Sequence, residues 1–477
     1  MGSEIPSSHF SAADFEAFHA SLRKETGVLA RWFETKRFAF SGNSFGLEVE
    51  FWLADENYLP APQNKEYLAA LSHPQIVSEI SRFNAELNSS PVPAGPDSLR
   101  RMHDDLEGLW AKAMLAAEQM GLHAIAIGSL PTLRDTMLGL EYLSDMERYR
   151  ALNQEVMRLR KGRPIQLDID GRDHLQVTRA DIMLESCATS LQIHFGVSPE
   201  QSVRYFNASI LTSAPLVALG ANAPYVFAHD LWDETRIPIF EQAVKLPSFV
   251  DPAGQPIGRV SFGSGYLRQS MLECFLENLD GYPILMPARL GDNPEKLAHL
   301  KLHNGTIWRW VRPIVGTSEA GPHLRIEQRV PSSGPTTVDT IANVAFYLGL
   351  THALGSAQEA PEKNYPFTTA RNAFYESARR GLSANIKWID GKEWPIQALL
   401  HDRLIGQAKA GLADLGVDKG DLDFYFDQIL LPRVRSGRNG AAWQRSYIST
   451  HGLDFQGLVA RYCELQKEGA PVHQWSV

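Results

Sequence analysis

Three short stretches of this 477-residue chain set ionisable side chains at strand spacing. In Gly46-Leu-Glu-Val-Glu50, Glu48 and Glu50 are two residues apart. Successive side chains of a strand point to opposite faces, so the two carboxylates share a face and can bind one ion or two neighbouring ions. In Gln192-Ile-His194 an amide and an imidazole share a face in the same way, and the imidazole can hold a metal or a phosphate. In Arg325-Ile-Glu-Gln-Arg329, Glu327 stands between Arg325 and Arg329. A carboxylate there suits a metal ion, and guanidinium forks suit phosphate and carboxylate through paired hydrogen bonds. Each stretch alone has a plainer reading: a solvated acidic face, a satisfied histidine, a ladder of ion pairs worth little at a surface. The combination points to chemistry. Lining one concave sheet, these faces would form an oxygen-rich acidic cup with a cationic rim. Mg²⁺ or Mn²⁺ prefers that ligand set, and no Cys/His set suggests zinc.

The elements that must position these groups follow from periodicity. Alternation predicts strands over 46–53, 84–88, 191–197 and 324–330. On the first, Leu47, Val49, Phe51 and Leu53 take one face and Glu48, Glu50 and Trp52 the other. On the second, Glu86 shares the polar face with Asn84 and Asn88. Helical spacing predicts helices over 11–38 (with Ser11 as cap), 98–120, 144–161, 199–217 and 337–354. Beyond about residue 365 the pattern is mainly helical, broken by a hairpin-like turn at 387–395. Strands and helices do not alternate regularly, so the fold class is α+β and not doubly wound α/β. Residues 1–10 read as a disordered lead, and the Pro- and Gly-rich stretch 246–266 reads as a lid or specificity loop.

Composition narrows the classes. Hydrophobic residues make up 44% and charged residues 21%, an ordinary globular balance. A net charge of −9 argues against broad nucleic-acid binding. Cys187, Cys274 and Cys463 have no metal-type spacing and no disulfide framework, which fits a reducing cytoplasm. No apolar run reaches the roughly 18 residues of a membrane helix, and the N-terminus lacks the regions of a signal peptide. Gly263-Ser-Gly265 lacks the third glycine of a dinucleotide fingerprint, and neither a phosphate loop nor a Gly-x-Ser-x-Gly elbow is found. Arg433, Arg435 and Arg438 read as a solvated helix end, and Cys187 as a core thiol.

The order of Gly46-Leu-Glu-Val-Glu50, Gln192-Ile-His194 and Arg325-Ile-Glu-Gln-Arg-Val-Pro331 resembles the signature strands of the glutamine synthetase-like superfamily. More closely, the chain resembles the type 2 glutamate–cysteine ligases, or carboxylate–amine ligases. Glu86-Leu-Asn-Ser-Ser-Pro91 looks like that family's acidic strand and turn, and Arg148-Tyr149 like its Arg-Tyr pair. Cys187-Ala-Thr-Ser-Leu-Gln192 loosely resembles its Cys-Thr-x-Gln strand, with the cysteine displaced by two positions. Ala378-Arg-Arg-Gly-Leu382 and Asn439-Gly-Ala-Ala-Trp-Gln-Arg445 look like its C-terminal segments.

The resemblance implies a curved, mostly antiparallel sheet forming a funnel-like active site. It implies a helical extension over 1–40, a catalytic domain over 41–385 and a helical region over 386–477. Glu48, Glu50, Glu86 and Glu327 would be metal ligands, with Gln192 a further one through its carbonyl oxygen. His194 would touch ATP phosphate, Arg325 the transferred phosphoryl group, and Arg329 the glutamate carboxylate; Glu86 would also face substrate. Arg312, in Trp308-Arg-Trp-Val-Arg-Pro313, fits either a phosphate contact or a structural arginine stacked on Trp308 or Trp310. The implied activity is ATP- and Mg²⁺-dependent formation of γ-glutamylcysteine through a γ-glutamyl phosphate. Mn²⁺ is an alternative ion, and another amine an alternative substrate. Gln192, where many relatives carry histidine, favours the cysteine-type ligase over a synthetase using free ammonia.

Three rivals stand beside this reading. A guanidino-type kinase shares the metal cup but needs no second displacement. A glycosidase needs no ATP and leaves the arginines beside Glu327 unexplained. A non-catalytic relic would be expected to lose acids that are here intact. Small-molecule partners are expected, with neither nucleic acid nor membrane. The oligomeric state stays open, since the superfamily ranges from monomers to large rings and a homo-oligomer is compatible with the sequence.

Overall fold

Eight strands pair into one curled antiparallel sheet in the computed structural model, which describes residues 4–246, 249–250 and 256–477. They are β1 (Ser44–Ala54), β2 (Ile76–Ser78), β3 (Asn84–Asn88), β4 (Val92–Pro93), β5 (His123–Ile125), β6 (Leu191–Val197), β7 (Val311–Ser318) and β8 (Gly321–Gln328). The order across the sheet is β7-β8-β6-β1-β3-β2, with β4 and β5 also paired to β1. The four strands expected from alternation are all present; β8 ends at Gln328, so Arg329 lies just beyond it.

The apolar faces decide what lies behind the sheet. Leu47, Val49, Phe51 and Leu53 of β1 join Ile193 and Phe195 of β6 and Leu324 and Ile326 of β8 in one core with the helix Ser202–Gly220 and its neighbours. The main helices are α1 (Ala12–Glu34), α2 (Ser98–Gln119), α3 (Glu147–Leu159), α4 (Ser202–Gly220), α5 (Ala298–Gly305) and α6 (Thr337–Gly355). α4 and α6 are buried almost all round, which is why their sequences show no polar stripe. Helix Ile405–Asp414 crosses α6 where two glycines meet: a Cβ on Gly349 would fall 2.1 Å from the Ala408 carbonyl oxygen, and one on Gly411 2.1 Å from that of Gly349. The same core runs from Phe18 in α1 to Val434. On the opposite face of β1, Trp52 stacks on Phe83 with ring centroids 5.4 Å apart, in a second core.

The expected C-terminal hairpin is present as strands Asn385–Lys387 and Glu393–Pro395. The stretch 246–266 lies partly outside the described residues; within it Phe249–Val250 pairs with Pro256–Ile257. Arg433 corrects the reading of a solvated helix end. It is 1% exposed, with Nη2 2.7 Å from the Asp339 carboxylate and Nη1 2.6 Å from Asn343 Oδ1. The buried Asp339 anion on α6 requires a cation, and Arg433 supplies it from helix Leu431–Ser436. Cys187 is buried, and burial pushes its thiol up, in keeping with a core thiol. Among the described residues no helix is long and apolar enough to cross a membrane.

Candidate active site

Strand register brings the polar residues together. Glu50 on β1 pairs with Glu86 on β3, Glu48 on β1 with Gln192 on β6, His194 on β6 with Glu327 on β8, and Glu327 with Arg312 on β7. Residues directly opposite on neighbouring strands project to the same face, so one row of side chains crosses five strands. That row lines a cavity of about 670 Å³, with Arg325 and Arg329 also in its wall. The size is that of small-molecule sites.

Among the described residues, two groups of three donors line this cavity. Glu48, His194 and Glu327 offer atoms that all lie within 4.8 Å of one another, and so do Glu50, Glu79 and Glu86. Their electrostatics differ. In the first group His194 Nε2 is 3.0 Å from Glu48 Oε1. Arg312 holds Glu327 at two points, 2.6 and 2.9 Å, and Arg329 Nη1 adds a third at 3.2 Å. Burial pushes the Glu48 carboxyl up, but the adjacent His194 overcomes this and lowers it to about 2. Glu327 is likewise opposed by burial but held well below the carboxylate range by Arg312, Arg329 and His194.

In the second group burial and mutual repulsion outweigh the nearby arginines. Burial, then the Glu50 charge, pushes Glu79 up to about 7. Burial, then Glu48 and Glu79, pushes Glu86 well above the carboxylate range, and Glu50 is raised by burial against the pull of Arg329. Three crowded carboxyls that repel one another, Glu86 buried and Glu50 and Glu79 partly buried, must hold protons or share a cation. Their all-oxygen donor set fits a hard divalent ion such as Mg²⁺ or Mn²⁺. The mixed oxygen–imidazole group also fits such an ion, provided Glu327 exchanges part of its hold on arginine.

A model of glutamate–cysteine ligase family 2 matches residues 44–456. The chain belongs to glutamate–cysteine ligase family 2. Two solved structures share the fold at low identity. One is a glutamate–cysteine ligase from Francisella tularensis in complex with AMP (12% identity, 90% of each chain covered, TM-score 0.53). The other is a bifunctional glutathione synthetase from Pasteurella multocida (13% identity, 94% of this chain and 54% of that one, TM-score 0.54). No curated protein sequence matches. The fold is shared with these two ligases, and family and fold together support an ATP-dependent carboxylate–amine ligase.

Within this family 2 chain, every site residue expected from sequence lines the one cavity: Glu48, Glu50, Glu86, Gln192, His194, Arg312, Arg325, Glu327 and Arg329. Three details differ from expectation. Gln192 turns its amide nitrogen toward Glu50 (3.2 Å) and Glu86 (3.4 Å), and its carbonyl oxygen accepts from Arg329 Nη1, so that oxygen is engaged and not aimed at the acids. Arg312 is paired with Glu327 and not stacked on a tryptophan; the guanidinium over Trp310, at 6.0 Å, is that of Arg236. Arg329 is 8% exposed and already bound to Glu327 and Gln192. Arg325 makes no ion pair among the described residues, and its buried Nε has no hydrogen-bond partner, which suits it to an incoming anion.

The sequence reading missed several members of the site. Glu79 follows β2 in a turn and has no periodic partner; the Ser144 hydroxyl fixes its carbonyl oxygen at 2.5 Å. Glu185, in the short helix Met183–Cys187, is pushed well up by burial and then by Glu79. A lone acid within the apolar run Ile182-Met-Leu-Glu-Ser-Cys187 was the available signal. The C-terminal family segments act by bracing. Asp233 and Glu234 donate backbone N–H groups to the carbonyls of Arg379 and Ala378, and Arg445 Nε holds Asp230 at 2.8 Å. The braced loop leads into Arg236, whose Nη2 holds the Arg329 carbonyl oxygen at 2.8 Å. Residues far along the chain thereby position the Arg329 backbone.

Proposed function

We propose that this protein joins the γ-carboxylate of glutamate to the amino group of cysteine, with ATP as phosphoryl donor and Mg²⁺ or Mn²⁺ as the resident ion. The observation that carries the reading is the pair of donor triads side by side in one cavity, flanked by Arg312, Arg325 and Arg329. The choice of glutamate and cysteine rests on the family's description. An ion held by Glu48, His194 and Glu327, and another by Glu50, Glu79 and Glu86, would neutralise phosphate charge.

The chain's own residues supply position, charge and dryness. Arg325, which has no ion-pair partner among the described residues, is assigned to the ATP phosphates, and Arg329 to the acid substrate's carboxylate. Held so, a γ-carboxylate oxygen attacks the terminal phosphorus and ADP leaves. The amine nitrogen then attacks the acyl carbon, and the C–O bond to phosphate breaks with its electrons on phosphate. Glu185, a carboxyl of raised proton affinity in the same cavity, is matched to taking the ammonium proton.

The test is phosphate release from ATP and Mg²⁺ with glutamate, with and without a panel of amines including cysteine. Release that requires both glutamate and cysteine, with a γ-glutamylcysteine product by mass, is expected. Release that requires a different amine would correct the substrate. A phosphorylated amine as end product would replace the ligase by a kinase.

A further inference from the structure

The cavity wall also contains Glu4 and Ile5, from a stretch that reads in sequence as a disordered lead. Ile5 is 3% exposed and packs on Ala151 and Ala288, with Met286, Leu290 and Leu302 around them. The last three of these line, or border with Ile5, the same cavity. Glu4 Oε1 accepts the backbone N–H of Arg148 at 3.0 Å, at the first turn of α3. The buried Ser8 lies beside Glu147, one residue earlier, and lowers its carboxyl. Asp14 of α1 then pairs with Arg289 at 3.0 Å. Strap 4–8 is thus fixed along α3 and the 286–290 segment without any regular structure of its own.

We propose that strap 4–8 is a wall of the reaction chamber that keeps water from the activated acid, with Ile5 as its seal. This rests on the ligase reading above. A cavity of about 670 Å³ remains with the strap in place, so the strap bounds the space and does not fill it. An acyl phosphate needs such a boundary, because water competes with the amine for it. In the wasteful reaction the oxygen of water bonds to the acyl carbon and the C–O bond to phosphate breaks. Phosphate leaves with the electron pair, and the carboxylate is regained with release of a proton. ATP is then spent with no amide formed.

The experiment compares the intact chain with Ile5→Asp, Ile5→Val and a variant lacking residues 2–8, each checked for an unchanged thermal midpoint. Phosphate and amide are measured together at an amine concentration below saturation. The intact chain and Ile5→Val should release one phosphate per amide, while Ile5→Asp and the truncation should release at least about twice as much. In parallel, labelling of Glu79 and Glu86 by a water-soluble carbodiimide with a small amine is mapped by mass spectrometry. It should run several-fold faster in Ile5→Asp and the truncation. Unchanged coupling and unchanged labelling would overturn the proposal. If the intact chain makes no amide, the ligase reading fails instead, and the labelling alone decides whether the strap walls the cavity.

Discussion

Arg312 grips Glu327 from the opposite register position on β7, Nε 2.6 Å from Oε2 and Nη2 2.9 Å from Oε1. Glu327 is 2% exposed, so this fork is what makes its buried anion tolerable. Arg312→Ala should cost about 3 kcal/mol of stability, the usual price of leaving one partner of a buried pair alone. Replacing both residues by methionine should recover most of the loss, because the uncompensated charge is gone. Urea denaturation measures both. A loss under about 0.5 kcal/mol in the single variant would mean that Arg329 and His194 suffice for Glu327.

The second triad predicts opposite effects with and without metal. Glu79→Gln relieves repulsion among Glu50, Glu79 and Glu86 and should raise the thermal midpoint in chelator. With saturating Mn²⁺ the intact chain should gain about 2.7 kcal/mol at a hundredfold excess over Kd, and the variant much less. Glu48→Ala and Glu327→Ala should abolish turnover with the fold intact. An equal Mn²⁺ effect in Glu79→Gln would remove Glu79 from the ligand set.

Arg325 and Arg329 should separate kinetically. Arg329→Ala is expected to raise the KM for the acid substrate at least about tenfold, equivalent to about 1.4 kcal/mol of lost binding. Arg325→Ala should act on kcat and on the KM for ATP. Steady-state kinetics varying each substrate in turn decides it, and an unchanged acid KM in Arg329→Ala would end the carboxylate-clamp assignment.

Glu234 makes stability depend on pH. It is fully buried, and burial pushes its carboxyl up to about 7 against the pull of Arg236, 3.6 Å away, and the Ser332 hydroxyl. Between its ordinary value of 4.5 and 7, the folded chain holds a proton that the unfolded chain has released. Stability should therefore fall as pH rises through that window. Glu234→Gln keeps an acceptor for Ser332 and for the Asn222 N–H and should flatten the curve. Parallel curves of unfolding free energy against pH for the two proteins would refute this.

Strand alternation makes much of the site legible in the sequence. A period of two sets Glu48 with Glu50, Gln192 with His194, and Glu327 with Arg325 on the polar face of each strand, and the register places these faces and that of Glu86 side by side. Glu79 and Glu185 escaped because they sit on a turn and a short helix, where no period announces which way a side chain points. Glu4 and Ile5 escaped because an irregular strap carries no pattern at all; its place comes from packing against Ala151 and Ala288 and from the bond of Glu4 to the Arg148 N–H. Arg433 was misread because its partner Asp339 lies 94 residues away, and a pairing over that distance leaves no local trace.

The most direct measurement follows oxygen. Glutamate carrying ¹⁸O in its γ-carboxylate is turned over with ATP, Mg²⁺ and the accepted amine, and the released phosphate is analysed by mass. If a carboxylate oxygen attacks phosphorus and the amine later displaces phosphate, one ¹⁸O per turnover must appear in the phosphate. Amide formed with unlabelled phosphate would contradict the acyl-phosphate route, and with it the central claim that this cavity activates a carboxylate by phosphorylation.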